Sequence, residues 1–378
     1  MKIGIVTFHF AYNYGAVLQA WALQTYLKKC GHEVELINYR PYYHTERYQL
    51  FRNVLLAGRA VRKKKNAGFF RAARAVIGTA VENVYMLKSR IRKKNAFERF
   101  ISSFINQSKL YKNVGELLET SISYDVLIAG SDQVWNRHLT DDTFDPVYFL
   151  RFGREKIKRI AYGVSLGETT IEDCISYVKG SHFILNLLSF RERNDAEEAS
   201  RLLGLPCYAV PDPTLLLNAD DYRNIETDTT EGNYVVVYIL KQNPILESII
   251  RQFLNKGKKI LNISPISIAV NGMRTIYPIS PSEFIGFIRH ADYVITNSFH
   301  GTVFSLIYRK MFFCGLHGAR NQRIQSLLTE VGLEGRIITD ISQFDALLCS
   351  DIDYGKVNRK LSSLSSKGKL FLKTALQE

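Results

Sequence analysis

The sequence predicts an α/β protein made of two doubly wound domains that face each other across a cleft. Short apolar segments alternate with helical ones in two separate series, and a polar stretch at Asn218–Gly232 divides them. Alternation of strands and helices is typical of parallel sheets. A chain of 378 residues is also long enough for two domains. We therefore expect two Rossmann-like halves with ligands bound between them.

The first series opens with a βαβ unit. A strand at Lys2–Phe8 is followed by an amphipathic helix at Ala16–Lys29 and a second strand at Glu33–Asn38. The later strands of this series are predicted at Tyr124–Ala129, Arg159–Val164, Leu185–Phe190 and Cys207–Val210. These elements predict a first domain at 1–220. The loop after the first strand lacks the glycine pattern of dinucleotide-binding proteins.

A basic insertion interrupts the first domain at about 41–120, with helical stretches predicted at Phe69–Lys88 and Ala96–Ile105. Segment 59–99 contains thirteen Lys or Arg residues against Glu82 and Glu98, and so carries most of the net charge of +14. Apolar residues interleaved with the cations indicate a helix that lies on an anionic membrane surface. A solvated helical face is the alternative. Nucleic acid is the competing partner, but the sequence contains no nucleic-acid-binding module, so we expect none.

The second series predicts another Rossmann-like domain at 233–350. Its strands are expected at Tyr234–Leu240, Lys259–Ile263 and Tyr293–Thr296, and its helices at Pro244–Asn255, Pro281–Arg289, Val303–Tyr308 and Asn321–Val331. The last segment, 351–378, contains a helix at about Lys356–Leu376 that can cross back onto the first domain.

The segment Asn297–Ser305 contains the strongest functional signal in the sequence. It follows the apolar strand Tyr293–Thr296, and in open α/β sheets ligands bind beyond the carboxyl ends of the strands. Amide groups at a helix start bind anions, and Gly301 allows the backbone to approach a ligand closely. His300 can carry a proton near neutral pH. This combination favours acid–base chemistry on a phosphorylated small molecule, although a purely structural helix cap is the alternative for His300.

The run Gly130–Asn136 follows another predicted strand. Asp132 is either a helix cap or a base that contacts the acceptor. Gln133, Trp135 and Asn136 add amide groups and an aromatic ring, a combination typical of sugar binding. We therefore expect these residues to bind a sugar acceptor.

Other strand ends supply further candidate ligands. Asn13, Tyr14 and Gln19 follow the first strand and are expected to contact the acceptor, unless they only shape the loop. Arg191 follows a later strand and can bind a carboxylate or phosphate with two parallel hydrogen bonds, with a surface ion pair as the alternative. Two further cations, Lys241 and Arg323, are also positioned to hold an anion.

The sequence predicts a reduced, cytoplasmic protein. Its five cysteines are odd in number and widely spaced, which argues against a disulfide framework and a zinc site. No apolar run is long enough to span a membrane, and the N-terminus is predicted to be a strand instead of a signal peptide. We expect no metal and no cofactor.

Four segments together resemble the polysaccharide pyruvyl transferase family. They are KIGIVTFHFAYNYGAVLQAWALQTYL (2–27), GSDQVWN (130–136), PDPTLLL (211–217) and ADYVITNSFHGTVFSLIYRK (291–310). They occur in order over most of the chain, and only the basic insertion lacks recognisable motifs. The resemblance implies a fold like that of the GT-B glycosyltransferases. It also implies a phosphoenolpyruvate donor, a sugar of a cell-surface glycan or its lipid-linked precursor as acceptor, and a pyruvate ketal product.

The resemblance also assigns roles to residues. His300 matches the motif histidine and is expected to act as general acid or phosphate partner, and Arg191 matches an arginine that faces the donor. Donor binding is further expected from Ser298, Gly301, Thr302, Lys241 and Arg323. A lipid-linked acceptor would place the protein peripherally on the inner face of the cell membrane.

This chain departs from some relatives at Ser298, where they carry an arginine two residues before the histidine. Arg323, Arg320 or Lys241 is expected to supply the missing cation. Two alternatives remain open from the sequence. One is a GT-B glycosyltransferase that uses a nucleotide-sugar donor, and the other is a glycan-binding protein without turnover.

Overall fold

A computed structural model describes residues 1–45, 50, 69–120, 123–228, 232–316 and 321–377. Residues 59–68 of the basic segment, and Arg320, lie outside this described part. The described chain forms two parallel β-sheets covered by helices, as the sequence predicted.

The first sheet has six strands in the order β2-β1-β3-β4-β5-β6. All described pairings in it are parallel. The strands are β1 (Lys2–Val6), β2 (Glu33–Leu36), β3 (Val126–Ala129), β4 (Lys158–Val164), β5 (Leu187–Phe190) and β6 (Cys207–Ala209). Strands β3, β4 and β5 end at the predicted residue, and β1, β2 and β6 end one or two residues earlier. The polar turns that follow therefore lie at the edge of the sheet.

The second sheet has five strands in the order β11-β10-β7-β8-β9. They are β7 (Tyr234–Tyr238), β8 (Lys259–Asn262), β9 (Arg274–Thr275), β10 (Tyr293–Thr296) and β11 (Met311–Cys314). Strand β7 is central and pairs with β10, which in turn pairs with the edge strand β11. Most side chains of these three strands are buried. The sequence interpretation missed β9 and β11 because the first is two residues long and the second follows its helix after a short turn.

Helices cover both sheets. In chain order they are α1 (Tyr14–Lys29), α2 (Tyr42–Thr45), α3 (Phe69–Phe104), α4 (Val114–Glu119), α5 (Ile171–Lys179), α6 (Arg193–Leu203), α7 (Pro244–Asn255), α8 (Pro281–His290), α9 (Phe299–Ile307), α10 (Asn321–Val331), α11 (Phe344–Cys349) and α12 (Tyr354–Gln377). Two expectations need correction. The stretches predicted at Phe69–Lys88 and Ala96–Ile105 belong to the single helix α3. Helix α9 begins at Phe299 instead of Val303, which places His300 in its first turn.

The two halves pack on each other through α1 and the C-terminal helix. The ring of Tyr14 in α1 stacks on Phe284 of α8 at a centroid distance of 4.5 Å, and its hydroxyl donates to the carbonyl of Ile279 at 3.1 Å. Helix α12 places Phe371 against Tyr162 of the first sheet, with a centroid distance of 6.0 Å. Buried residues of both sheets therefore form one continuous apolar cluster.

Among the described residues, none of the helices combines the length and the apolar character that a membrane span requires.

Candidate active site

A cavity of about 220 Å³ lies where the carboxyl edges of the two sheets meet. The first half contributes the loop after β1, helix α2 and the turn after β3, and the second half contributes the turn after β10 and the start of α10. Its polar lining consists of Asn13, His44, Asp132, Gln133, Asn297, Ser298, His300 and Arg323. Polar turns that were separate along the sequence thus converge at one cleft, as expected for open parallel sheets.

His300 reaches this cavity because the chain turns directly from β10 into α9. Ser298 caps the helix, and its hydroxyl accepts from the amide of Gly301 at 3.4 Å. A Cβ at position 301 would stand 2.3 Å from the Thr296 hydroxyl oxygen, so only glycine fits there. The close approach of α9 to β10 fixes the His300 ring against the opposite domain.

A buried carboxylate joins the two halves of the site. Asp212, in the turn after β6, is 1% exposed, and its Oδ2 accepts a hydrogen bond of 2.9 Å from Nη1 of Arg191. The Nε2 atom of His300 lies 3.5 Å from the same oxygen. The other oxygen, Oδ1, accepts from the amide and the hydroxyl of Thr214 at 3.0 and 2.7 Å. One carboxylate of the first domain thus contacts both Arg191 and His300.

Charge pairing explains the ionisation of this group. Burial alone would raise the pKa of Asp212, but His300, Arg191 and the Thr214 hydrogen bonds outweigh it and hold that pKa well below its usual range. Burial likewise opposes the charge of Arg191, whereas Glu192, Asp212 and Asp132 raise its pKa. The arginine and the Asp212 carboxylate are therefore both charged at neutral pH.

Arg191 retains capacity to bind a further anion. Its side chain is 4% exposed, and its Nε and Nη2 atoms are buried without a hydrogen-bond partner. Glu192 and Asp132 lie near these atoms at 3.6 and 3.9 Å, which is too far for good hydrogen bonds. Unpaired buried N–H groups are costly, so an incoming carboxylate or phosphate would satisfy them.

Arg323 supplies a second cation at the same place. The guanidinium carbons of Arg191 and Arg323 lie 5.3 and 5.8 Å from the ring centroid of Phe299. Arg323 lines the cleft cavity and also two smaller cavities of about 70 Å³ each. Arg191 lines one of these smaller cavities, and Asp195 lines the other. Helix α10 thus places Arg323 where three cavities adjoin.

Asp132 lies on the opposite wall, directly after β3. Its backbone has φ = 81°, a left-handed conformation that non-glycine residues rarely adopt. A buried bridge to Val164 of β4 and a hydrogen bond from the amide of Ser165 hold this turn. The side chain remains 20% exposed and lines the cavity with Gln133. Strained backbone of this kind is often found at functional sites.

The acceptor residues predicted from the sequence divide into two groups. Asn13 and Gln133 line the cavity. The other four predicted residues are buried and do not line the cavity, so the expected sugar contacts are wrong for Tyr14, Gln19, Trp135 and Asn136.

Trp135 was predicted to contact a sugar because of its residue type, but it lies in the core. Its ring is fully buried, stacks on Phe149 at 4.7 Å, and donates from Nε1 to the carbonyl of Tyr148. Asn136 is buried too and bonds Gln133 and the amide of His138. Gln19 is fully buried and donates to the Thr7 hydroxyl, while Tyr14 packs between the domains. These four residues support the turns that carry Asn13, Asp132 and Gln133.

Two donor candidates also lie away from the cavity. Thr302 is fully buried, and its hydroxyl donates to the carbonyl of Ser298, so it stabilises α9. Lys241 has an exposed side chain that does not line the cleft cavity, and its carbonyl accepts from Asn297. Ser298 and Gly301 shape the helix start as described above.

Sequence interpretation missed Asp212 and His44. Asp212 is part of the polar turn PDPT at the end of β6, so its position at a strand end was the available signal. His44 follows the irregular loop after β2, where nothing in the local sequence marks it. In the described part of the chain, no group of three His, Cys, Asp or Glu residues is arranged to hold a metal ion.

The chain is similar to known proteins in sequence and in structure. The family model described as polysaccharide pyruvyl transferase matches residues 13–314. The UDP-GlcNAc 2-epimerase of Neisseria meningitidis is similar in structure, with a TM-score of 0.53 at 8% identity over 100% of both chains. The Streptomyces glycosyltransferase SsfS6 aligns over 99% of both chains with a TM-score of 0.41 and 12% identity.

Curated protein sequences give no significant match. The structural similarity to the epimerase shows a shared GT-B-like fold, and at 8% identity it shows the fold alone. The family match spans Asn13, Asp132, Arg191, Asp212 and His300. By that match, the chain belongs to the polysaccharide pyruvyl transferase family.

Proposed function

We propose that this enzyme transfers the three-carbon unit of phosphoenolpyruvate to two hydroxyl groups of a sugar, forming a pyruvate ketal and releasing phosphate. The carrying observation is the convergence of His300 and Arg191, from opposite domains, on one oxygen of Asp212. Family membership supports the same reaction.

The charges of the site suit an anionic donor. Arg191 has two buried N–H groups without a partner, and Arg323 faces the same Phe299 ring. A carboxylate held by one guanidinium and a phosphate held by the other would satisfy both groups. Arg323 thereby replaces the cation that this chain lacks at Ser298.

His300 is suited to donate the proton that the reaction needs. Ketal formation requires a proton on C3 of the donor, which leaves a cationic centre at C2. The Asp212 carboxylate lies 3.5 Å from Nε2 and would stabilise positive charge on the imidazole. After protonation C3 is a methyl group.

Asp132 is proposed to accept a proton from the acceptor. The first sugar hydroxyl attacks C2 and loses its proton to the carboxylate. The second hydroxyl then displaces phosphate, which takes up the proton of that hydroxyl and leaves as hydrogenphosphate. The proton held by Asp132 returns through solvent to His300, which had protonated C3. Asn13 and Gln133 line the same cavity and can orient the hydroxyl groups. Two C–O bonds form, the C–O bond to phosphate breaks, and no redox change occurs.

The acceptor is proposed to be a sugar of a cell-surface polysaccharide or of its lipid-linked precursor. A lipid-linked acceptor would be reached from the inner face of the cell membrane, where the protein would associate peripherally. The basic segment 59–99 supports this location because anionic lipids attract it.

Two measurements test the proposal. Phosphate release from phosphoenolpyruvate should require a glycan acceptor, and NMR should detect a new ketal methyl group on the glycan. Thermal stability should also rise with phosphoenolpyruvate, since a ligand of the folded state stabilises it. Stabilisation by a nucleotide sugar but not by phosphoenolpyruvate, together with sugar transfer, would establish the glycosyltransferase alternative. Binding of a glycan without any turnover would establish a non-catalytic glycan-binding protein.

A further inference from the structure

Helix α3 presents an apolar strip to solvent along one face. Ile77, Val81, Val84 and Tyr85 are 64, 62, 76 and 83% exposed. Their spacing of four, three and one residues places them on one side of a helix. Large apolar side chains exposed together in this way mark an interaction surface, whereas single exposed ones need no explanation.

Basic residues continue the same face in both directions. Arg74, Lys88, Arg92 and Arg99 are exposed and follow the helical spacing of the strip. The acidic residues of the described helix point elsewhere, since Glu82 pairs with Arg90, and Glu98 pairs with Arg40. From Ile77 onward, the face is therefore apolar in its first half and positive in its second.

A groove of about 690 Å³ lies beside the basic half. Lys88, Arg92 and Arg99 line one wall, and the hydroxyl-bearing residues Ser280 and Ser282 line the other. Glu283 also lines this wall, but one of its oxygens accepts from the amide of Ser280 at the start of α8. Cations facing hydroxyl groups form a suitable seat for phosphate groups.

We propose that this face of α3 docks on an anionic lipid membrane. The strip Ile77–Tyr85 would enter the interfacial region, and the groove would receive lipid phosphates. Tyr85 has an apolar ring and a polar tip, which suits the depth of the headgroups. A soluble anion would use the groove but would leave the apolar strip in water.

A second copy of this chain fits the face less well. In a two-fold symmetric contact, the same surface of both copies is buried. Such a contact would bury the arginines and Lys88 of both helices, and the described part of the face has no acid to pair them. An anionic bilayer supplies the opposite charge together with an apolar interior.

The docking helix connects directly to the cleft. Phe97 of α3 stacks on Tyr14 at 5.2 Å and contacts the ring of Tyr12 at 5.7 Å. Asn13, between these two tyrosines, lines the cavity. A membrane-bound acceptor would therefore be delivered next to the loop that is proposed to bind it; this last step alone rests on the proposed function.

Vesicle sedimentation tests the proposal without donor or acceptor. The full chain should bind phosphatidylcholine vesicles that contain phosphatidylglycerol, bind pure phosphatidylcholine much more weakly, and be released by salt. The double variants Val84→Ser/Tyr85→Ser and Lys88→Gln/Arg92→Gln should each weaken binding to the anionic vesicles by about tenfold or more.

Matched changes on other exposed surfaces are the controls. Ile184→Ser removes an apolar side chain that is 74% exposed, and Arg223→Gln removes an exposed cation. Both should bind the vesicles like the unchanged protein. All variants should melt at a similar temperature, because the altered side chains are exposed.

Three results would overturn the membrane assignment. The first is a failure of the unchanged protein to sediment with anionic vesicles, and the second is equal binding by all variants. The third is a dimer in solution that Val84→Ser/Tyr85→Ser converts to a monomer, which would identify a second copy as the occupant. Stabilisation by inorganic diphosphate without vesicle binding would identify the groove as a site for a soluble anion.

Discussion

The imidazole of His300 lies directly against the backbone of Gly15. A Cβ atom at position 15 would stand 2.0 Å from Nδ1 of the ring, well inside any allowed contact. Gly15 is in the first turn of α1 and His300 is in the first turn of α9, so this contact crosses the domain interface. The glycine is required here by space, because its backbone is helical and would suit other residues.

Replacing Gly15 with alanine should therefore displace the imidazole. We expect Gly15→Ala to reduce kcat at least about a hundredfold, with a smaller change in donor affinity, since a misplaced proton donor impairs chemistry more than binding. Gly335→Ala is the control, because a Cβ there meets no atom within 4 Å. Phosphate release by a Gly15→Ala protein at the normal rate would remove His300 from the proposed chemistry.

Removing the charge of Asp212 should affect both stability and pH dependence. Asp212→Asn leaves Arg191 and His300 without their shared carboxylate, and loss of one partner of a buried pair typically lowers stability by ~3–5 kcal/mol. Urea denaturation at neutral pH measures this change.

The lowered pKa of Asp212 determines how its contribution to folding stability changes with pH. A carboxyl group with a depressed folded-state pKa stabilises the protein above its unfolded pKa, and this stability disappears as pH falls. The difference between the unchanged protein and Asp212→Asn should therefore be largest at neutral pH and shrink in acid. A difference that stayed constant down to acidic pH would argue against the ion pair.

Arg323 should matter for the donor and little for the fold. Arg323→Gln is expected to raise the KM for phosphoenolpyruvate by about tenfold to a hundredfold, because one cationic ligand of the donor is lost. Arg323→Lys should recover part of the affinity through its charge. Arg201→Gln removes an exposed arginine that pairs with Glu198 and should leave the KM unchanged. If Arg323→Gln lowered only the melting temperature, the residue would be structural.

Asp195 should make the stability depend on pH near neutrality. Burial, and then the charge of Glu192, raise the pKa of Asp195 to about 7. An acid with a raised folded-state pKa destabilises the protein as pH climbs from its unfolded pKa of about 4 to its folded one. Asp195→Asn should therefore melt like the unchanged protein at pH 4 and higher than it at pH 8. Equal melting temperatures at pH 8 would show that the folded-state pKa of Asp195 is normal.

The sequence predicted the parallel sheets and the place of the cleft because both follow from local patterns. Apolar strands such as β10 end in polar turns, and the carboxyl edges of parallel strands meet. The same logic located His300, Arg191 and Asp132 at one site. The bounds of α9 were less predictable, because Ser298 caps the helix only once β10 holds it in place.

Burial accounts for the residues that were misassigned. Trp135 and Asp132 lie three positions apart in one polar motif. The turn directs the ring of Trp135 into the core but leaves the side chain of Asp132 at the cavity. Composition alone does not distinguish these directions. Asp212 was overlooked because its importance arises from two partners that are distant in the sequence, and a single sequence does not show such pairing.

His300 and the carboxylate of Asp212 come from different halves of the polypeptide. In the proposed mechanism neither half contains the complete proton donor, so we expect turnover to require that the two halves dock correctly. A substitution in the Tyr14–Phe284 stack could therefore silence the enzyme without touching any reacting atom. We therefore expect activity to depend on how the two domains pack against each other.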